Sequence, residues 1–435
     1  ISPLLCIDTK HLERSFAAHL ASMFPGPMAL PIIGNALEFL NSEPEDILSS
    51  MYRLGQNYKS PFRFWLGNRL CILVAKPADL QIVLNNSKTL GKDEVYKFLQ
   101  AVIGTGLIAA PVEKWKKTRK MLTPSFIPKK LERFEDIMNE RANILVQKIQ
   151  EHSNSGHEIN IYPYFLSASL DTFCGEQSNH LALKSITVIV NLSNGSTPPD
   201  FIMLHSFLIL MIFFFGEALR GFAKNASILN NIFAISSEEF YCGLFVGIST
   251  FMKWTYFCRT ELFHEEQYNI FKGEDRPVTS EDMDRMEYTE QVIKETLRMF
   301  PVVPLILRAV EEDLKITENY VLPAGAAVVI APLQTHSDPA LWQEPEKFNP
   351  DNFSAENIQS RHKYAYIPFS GGARGCIGYR YAMKAMKTTI STFIRHYHVS
   401  TTTKLEEIKL CTDLLIRSKD GWNMKLEPRI GTNPE

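Results

Sequence analysis

One cysteine set among glycines is the most informative feature of this 435-residue sequence. The run Phe369-Ser370-Gly371-Gly372-Ala373-Arg374-Gly375-Cys376-Ile377-Gly378 has the composition that an iron-bound thiolate needs. Such a thiolate must be deprotonated, so donors and positive charge must lie close by. Glycines such as Gly372 let backbone N–H groups approach the sulfur, and hydrogen bonds there set the redox potential. In this reading Phe369 packs against a porphyrin and keeps water from the sulfur. Arg374 pairs with a propionate. Gly378 permits the turn into a following helix, whose N-terminus favours an anionic ligand. The plainer alternative is a buried cysteine in a glycine-rich turn, the common fate of a free Cys. The spacing around Cys376 favours the metal-ligand reading.

Two further pairs have the spacing of a shared helix face. Glu295-Thr-Leu-Arg298 places an acid and a base three residues apart. By itself that is an exposed ion pair of little worth. Trp115-Lys-Lys-Thr-Arg119 places two donors four residues apart, suited to a buried carboxylate. By itself that is an ordinary amphipathic helix.

The string Tyr364 to Gly378 resembles the heme-binding loop of the cytochrome P-450 family, and is most similar to insect members of its fourth family and their relatives. Glu295–Arg298 resembles that family's ExxR helix, and Trp115–Arg119 its WxxxR helix. The resemblance covers about 20–175 and 270–430 and is weak between. It implies the mainly α P-450 fold with a small β-rich region, a heme b held by Cys376, and propionate partners in Trp115, Arg119 and Arg308. It implies that Glu295 and Arg298 lock the core beside the heme's proximal side. Phe348-Asn-Pro-Asp-Asn352-Phe353 has Asn352 where most members carry an arginine that completes this network, so the third partner here is uncharged. Val302–Ile306, Val102–Ala109 and Asp413–Leu415 match the substrate-pocket lining. The family's oxygen-activating acid–Thr pair has its nearest counterpart in Phe245-Val246-Gly247-Ile248-Ser249-Thr250, with Thr250 as the catalytic hydroxyl and Ser249 in place of the acid. Val246 stands where many relatives carry a Glu that can bond covalently to the heme.

The elements that must hold these residues are partly legible. Pro61 to Pro77 alternates around Gly67-Asn68 and predicts a β-hairpin. Trp115 to Glu151 is helical in pattern, broken at Pro124 and Pro128. Thr279 with Asp282 three residues on predicts a helix entry, and Met286–Met299 a helix ended by Pro301 and Pro304. Val321–Pro332 predicts a strand with a Pro-Ala-Gly turn. Tyr379 to His396 predicts a helix, and Leu410–Leu426 a hairpin turning near Lys419–Gly421. The β-rich region is then built from 60–77, 308–332 and 410–426. Glu217–Phe233 is helix-like, but 178–275 has poor boundaries. About 30 residues separate Thr250 from Thr279, and one long central helix, at ~1.5 Å per residue, would consume most of them.

Composition agrees with an ordinary globular chain, 45% apolar and 22% charged. It carries no internal repeat and no linker, so 1–435 is read as one domain with an atypical segment at 175–275. A formal net charge of -2 argues against a nucleic-acid binder. Seven cysteines, an odd number without CxxC pairs, fit a reducing compartment. The longest apolar run, Phe201–Phe215, is short for a membrane span and reads as buried or interfacial; the chain starts on Ile1, which allows that an anchor precedes it. Lys116, Lys117, Lys120, Lys129, Lys130 and Arg133 form a basic run that Arg380, Lys384 and Lys387 could join. In the family that side docks an acidic reductase. The expectation is a monomeric heme-thiolate monooxygenase on the cytosolic face of the endoplasmic reticulum membrane. It would take electrons from NADPH through a reductase and act with O2 on an apolar substrate. The rivals are a heme-binding pseudoenzyme and a membrane-surface protein without heme.

Overall fold

The computed structural model describes residues 19–40, 44–97, 100, 105–153, 156–174, 260–404, 407–412 and 416–429. The main helices among them are α1 (Pro44–Asn57), α2 (Pro77–Asn85), α3 (Val112–Leu122), α4 (Glu135–Ser153), α5 (Tyr162–Cys174), α6 (Thr260–Phe271), α7 (Ser280–Arg285), α8 (Glu287–Met299), α9 (Pro332–His336) and α10 (Tyr379–His396). The strands are β1 (Phe62–Leu66), β2 (Arg69–Val74), β3 (Ile159–Asn160), β4 (Ile306–Ala309), β5 (Leu314–Lys315), β6 (Val321–Leu322), β7 (Ala327–Ile330), β8 (Tyr397–Ser400), β9 (Leu410–Thr412), β10 (Ile416–Ser418) and β11 (Asn423–Pro428). The chain is thus mainly α with a small β-rich part.

The predicted hairpin is β1–β2, turning at Gly67 with φ +62°. It continues into a four-stranded sheet of order β1-β2-β7-β4, with β2 and β7 parallel. Alternation gives this sheet two apolar faces. Ile72, Val74, Val328 and Ile330 enter one core cluster, while Cys71, Leu73, Ala327 and Val329 enter another. The sheet is therefore covered on both sides, and it is rigid support for Arg308 on β4.

The larger core is helical. Ile149 of α4, Phe165 of α5, Phe263 of α6, Leu297 of α8 and Phe393 of α10 meet in one cluster. The entry to α7 is a capping box: the Thr279 hydroxyl accepts from the Asp282 N–H, and the Asp282 carboxylate accepts from the Thr279 N–H at 3.0 Å. α10 runs over the predicted residues.

The predicted hairpin over 410–426 needs correction. β9 pairs only with β10, antiparallel, from Leu410 to Ser418. A turn does follow, with Gly421 at φ +78°, but β11 beyond it leaves for a different sheet, between β3 and β8. The reason is burial: Met424 and Leu426 alternate into the helical core. Residues 62–74 thus share a sheet with β4 and β7, β5 and β6 pair with each other in a sheet of their own, and 410–428 joins neither. No helix among the described residues is long and apolar enough to cross a membrane. Phe201–Phe215, Glu217–Phe233, residues 102–104 and Asp413–Leu415 lie outside the described residues.

Candidate active site

The Cys376 loop is a self-bonded turn pressed against α2. The Ser370 N–H donates to the Ile367 carbonyl at 2.9 Å, the Gly375 N–H to Gly372 at 3.1 Å, and the Cys376 N–H to Phe369 at 2.9 Å. Ser370 and Gly372 sit at φ +60° and +66°. A Cβ on Gly372 would come within 2.6 Å of the Leu84 carbonyl carbon, and closer still to its oxygen. Glycine is needed there for the left-handed backbone and for the approach of one backbone to another. The sequence suggested an approach to the sulfur; the nearest obstacle is the C-terminal end of α2. Gly378 differs from expectation too. Its φ is -85°, open to any residue, and a Cβ there would make ordinary contacts of 3.9 Å with the Cys376 sulfur and with Phe126. Phe369 meets Tyr379 edge-on at 4.9 Å and packs against the helical core.

Two arginines from separate elements, Arg119 and Arg308, approach this loop, which carries a third, Arg374. Arg119 of α3 donates from Nη1 to the Gly375 carbonyl at 2.7 Å, one residue before the cysteine. Burial lowers the affinity of Arg119 for its proton, and the negative charge of Cys376 raises it. Arg119 therefore fastens α3 to the loop and sets a positive charge near the sulfur. Arg374 donates to the carbonyls of Leu90 at 3.1 Å and Ala110 at 3.0 Å, and its guanidinium lies 4.6 Å from the centroid of Trp115. Trp115 thus serves as a platform under Arg374, a cation–π contact. Arg308 of β4 is buried, 3% exposed.

Arg308 and Arg374 each leave part of the guanidinium unsatisfied, and neither forms an ion pair among the described residues, although Tyr96 and Glu311 favour the charge of Arg374 from a distance. The Nη1 atoms of Arg308 and Arg374 are both buried without a hydrogen-bond partner among the described residues. Burial and then the charge of Arg308 push Arg374 down to about 10, which leaves it protonated at neutral pH. Unpaired buried charges are expensive. The set asks for an anion, and the two carboxylates of a heme would supply it beside the Cys376 side chain, which forms no disulfide. The residues fit the group.

Glu295 and Arg298 of α8 form a closed two-pronged pair, with Arg298 Nε and Nη2 2.7 Å and 2.8 Å from the carboxylate and neither side chain exposed. This rules out the plain surface ion pair. Asn352 donates to the same carboxylate at 3.1 Å, as does the Asn349 N–H at 2.8 Å. Arg298 also donates to the carbonyls of His336, Pro345 and Lys347. Two participants had no signal in the sequence. His336 receives the Ile367 N–H on Nε2 at 2.9 Å and reaches the Arg298 carbonyl with Nδ1 at 3.1 Å, so α8 is tied to the start of the Cys376 loop. Trp342 packs beside it. Thr250, with Val246, Gly247 and Ser249, lies outside the described residues. Val302 is buried in the helical core and Ile306 in the sheet core.

A profile of the family described as Cytochrome P450 matches residues 24–233 and 260–422. The chain belongs to the cytochrome P-450 family. It is 30% identical to Cytochrome P450 4V2 of Homo sapiens over 486 residues, covering 95% of this chain and 92% of that protein. It is 30% identical to Cytochrome P450 4c3 of Drosophila melanogaster over 505 residues, covering 98% and 93%. Both alignments are longer than the 435 residues of this P-450, so each relative carries residues inside the span that this chain lacks. As a P-450 of the family-4 type it is a heme b monooxygenase, which implies a redox partner, O2 and an apolar substrate in general.

The basic run of this P-450 is narrower than its sequence suggests. Lys116, Lys117, Lys120, Lys129, Lys130, Arg133 and Arg380 are exposed. Phe126, between the two halves of the run, lies beside Gly378 of the loop. Lys384 and Lys387 do not join it. Lys384 pairs with Glu135 at 2.6 Å, and Lys387 is buried against Glu290 at 2.6 Å.

Proposed function

We propose that this P-450 inserts one oxygen atom from O2 into an apolar organic molecule such as a fatty acid, a hormone or a foreign compound. Electrons come from NADPH through a separate flavoprotein reductase. The observation that carries the reading is the convergence on the Cys376 loop of Arg308 and Arg374, each with one buried guanidinium nitrogen that has no partner among the described residues. When bound, heme supplies the activation of O2 and the oxygen insertion. Cys376 would hold the heme iron through its thiolate, a ligand that would supply electron density to the iron. Arg119 holds the loop and balances the sulfur's charge. Arg308 and Arg374 orient the propionates, with Trp115 beneath Arg374. Phe369 excludes water from the sulfur, Gly372 lets the loop seat on α2, and Gly378 starts α10 beside the sulfur. Glu295, Arg298 and Asn352 hold the scaffold, and Thr250 is the residue assigned to proton delivery. The exposed basic residues near the loop receive the reductase.

A lipid surface is the assigned setting, at the cytosolic face of the endoplasmic reticulum, with 1–435 acting as one monomeric domain. Support comes from Phe24–Leu37, which holds no charged residue yet exposes Met28 by 88% and Ile32 by 91%. Apolar groups so placed favour an interface.

One observation favours a second reading, a heme-binding pseudoenzyme. The profile match breaks between 233 and 260, where Thr250 lies, and Ser249 replaces the acid. Two measurements separate the readings. A thiolate-type spectrum of the reduced CO complex, abolished by Cys376→Ser, is expected of both. NADPH-dependent turnover of apolar substrates with added reductase is expected of the enzyme alone, and its absence in fully heme-loaded protein overturns the monooxygenase proposal.

A further inference from the structure

Glu295 accepts from four donors, two on Arg298 and one each on Asn349 and Asn352. All the charge among those donors sits on Arg298. A lone guanidinium against a fully buried carboxylate that accepts four bonds leaves the network with one positive group and no reserve.

The structure assigns a second positive charge in this network to Arg361, which acts as a positioning residue in place of the charge Asn352 cannot supply. Arg361 Nη2 donates to the Asn352 carbonyl at 2.8 Å, so it grips the backbone of the very residue whose amide holds Glu295. Its guanidinium carbon lies 3.8 Å from the centroid of Trp342, and the Arg298 guanidinium carbon lies 5.3 Å from the same ring. One buried indole thus contacts both cations, a seat that favours arginine over lysine or an aliphatic chain. Among the described residues no carboxylate forms an ion pair with Arg361. Burial lowers its proton affinity, the Glu295 carboxylate raises it, and the Arg298 charge, a smaller effect than that of Glu295, lowers it. A side chain needed only to cover Trp342 would not have to be charged, and half-burying a charge for that purpose is unfavourable.

The consequence reaches the heme loop through the chain. Glu295 fixes Asn349 and Asn352, Arg298 fixes Pro345 and Lys347, and the same segment runs on through Arg361 to Phe369 and Cys376. Loosening Glu295 lets that segment shift and weakens the seat of the thiolate.

The test uses heme-loaded full-length protein and two readouts: the rate of heme transfer to excess apomyoglobin, and the fraction giving the thiolate-type CO spectrum. Neither needs NADPH, reductase or substrate, so a failure here is distinct from a failure of the monooxygenase reading. Arg361→Met keeps an apolar cover on Trp342 without charge; heme loss about tenfold faster is expected, the size of one charge-assisted contact. Arg361→Lys keeps the charge but loses the planar stack on Trp342, so its heme loss should fall between the parent and the Met variant, about threefold faster than the parent. Arg361→Met combined with Asn352→Arg returns a guanidinium to Glu295 and should recover most of the loss. Equal behaviour of the Met and Lys variants, or no recovery in the double variant, overturns the assignment. If Arg361→Met yields no heme-loaded protein, the yields of the Lys and double variants carry the same comparison.

Discussion

Replacing Gly372 with Ala tests whether the thiolate loop is held by contact with α2. The perturbation has two parts. Gly372 sits at φ +66°, which costs an L-residue about 1 kcal/mol. Its new Cβ would also lie 2.6 Å from the Leu84 carbonyl carbon and closer still to its oxygen, so the loop or the end of α2 must move by more than about 1 Å to reach ordinary contact. Overpacking of that kind costs about 1–3 kcal/mol. Together they amount to about 2–4 kcal/mol, a factor of roughly 30 to 1000 in the balance between a seated and a displaced loop. Two other glycines separate the parts. Gly325 has φ +82° but open space around it, so Gly325→Ala carries backbone strain alone. Gly378 has neither problem, so Gly378→Ala should be nearly neutral. The assay is the fraction of heme-loaded protein that gives a thiolate-type CO spectrum, followed with increasing urea. Gly372→Ala should lose that spectrum at the lowest urea, Gly325→Ala should unfold slightly early with a normal spectrum, and Gly378→Ala should match the parent. A Gly372→Ala protein indistinguishable from Gly378→Ala would refute the reasoning, because it would mean that α2 does not constrain the loop.

Two shorter predictions concern groups outside the loop. Burial and the charge of Arg298 push His336 down to about 3, so it stays neutral in the fold while the unfolded chain protonates it below about pH 6.5. Its contribution is fully present above that value and falls as pH drops toward 3, by about 1.4 kcal/mol per unit, or about 2 kcal/mol between pH 6.5 and 5. Urea unfolding of His336→Asn should show a shallower pH dependence across that window, and an unchanged slope would contradict the assignment. Lys117→Glu with Lys120→Glu should slow reductase-driven heme reduction roughly tenfold or more at low salt and flatten its salt dependence. A rate unaltered at low ionic strength would move the docking face elsewhere.

What the sequence made legible follows from the range over which each signal acts. The hairpin at β1–β2 and the entry to α7 are written in neighbouring residues, Gly67-Asn68 in one case and Thr279 with Asp282 in the other. The thiolate loop is also local, so Cys376, Arg374 and Phe369 could be named in advance. Partners brought from far along the chain, such as Trp115, Arg119 and Arg308, came only through the family resemblance, and those outside its motifs could not be named. Lys384 and Lys387 sit three apart on a helix and resemble a solvated stripe, but the acids that turn them inward, Glu135 and Glu290, belong to α4 and α8. His336 meets Arg298 and Ile367, and no spacing rule links those three positions. The turn at 419–421 was visible, yet which strand β11 would pair with depends on where Met424 and Leu426 find a core. Asn352 stands in the sequence as an uncharged third partner; what compensates for it, on our reading, is Arg361, whose relevance appears only once Trp342 is in place.

Arg308 offers a prediction in which two states of the protein respond with opposite sign. The fold buries this guanidinium on β4 with one nitrogen unpartnered and with Arg374 near enough that each charge disfavours the other. A residue kept for packing would be better as an apolar chain, since replacing unpaired buried charge with apolar volume is neutral or stabilising. The charge therefore makes sense only against a ligand that brings negative charge. Arg308→Met should leave the heme-free protein as stable as the parent or more so, and should raise the proton affinity of Arg374. The same change removes a charge-assisted contact to a propionate, worth about 1.5–3 kcal/mol, so heme affinity should fall by roughly 10- to 100-fold. Thermal unfolding of both states, with heme titration of each, reads the two signs separately. Should the heme-free protein lose as much stability as the heme-loaded one, Arg308 is part of the sheet's own structure, and the account of an anion site poised for heme is wrong.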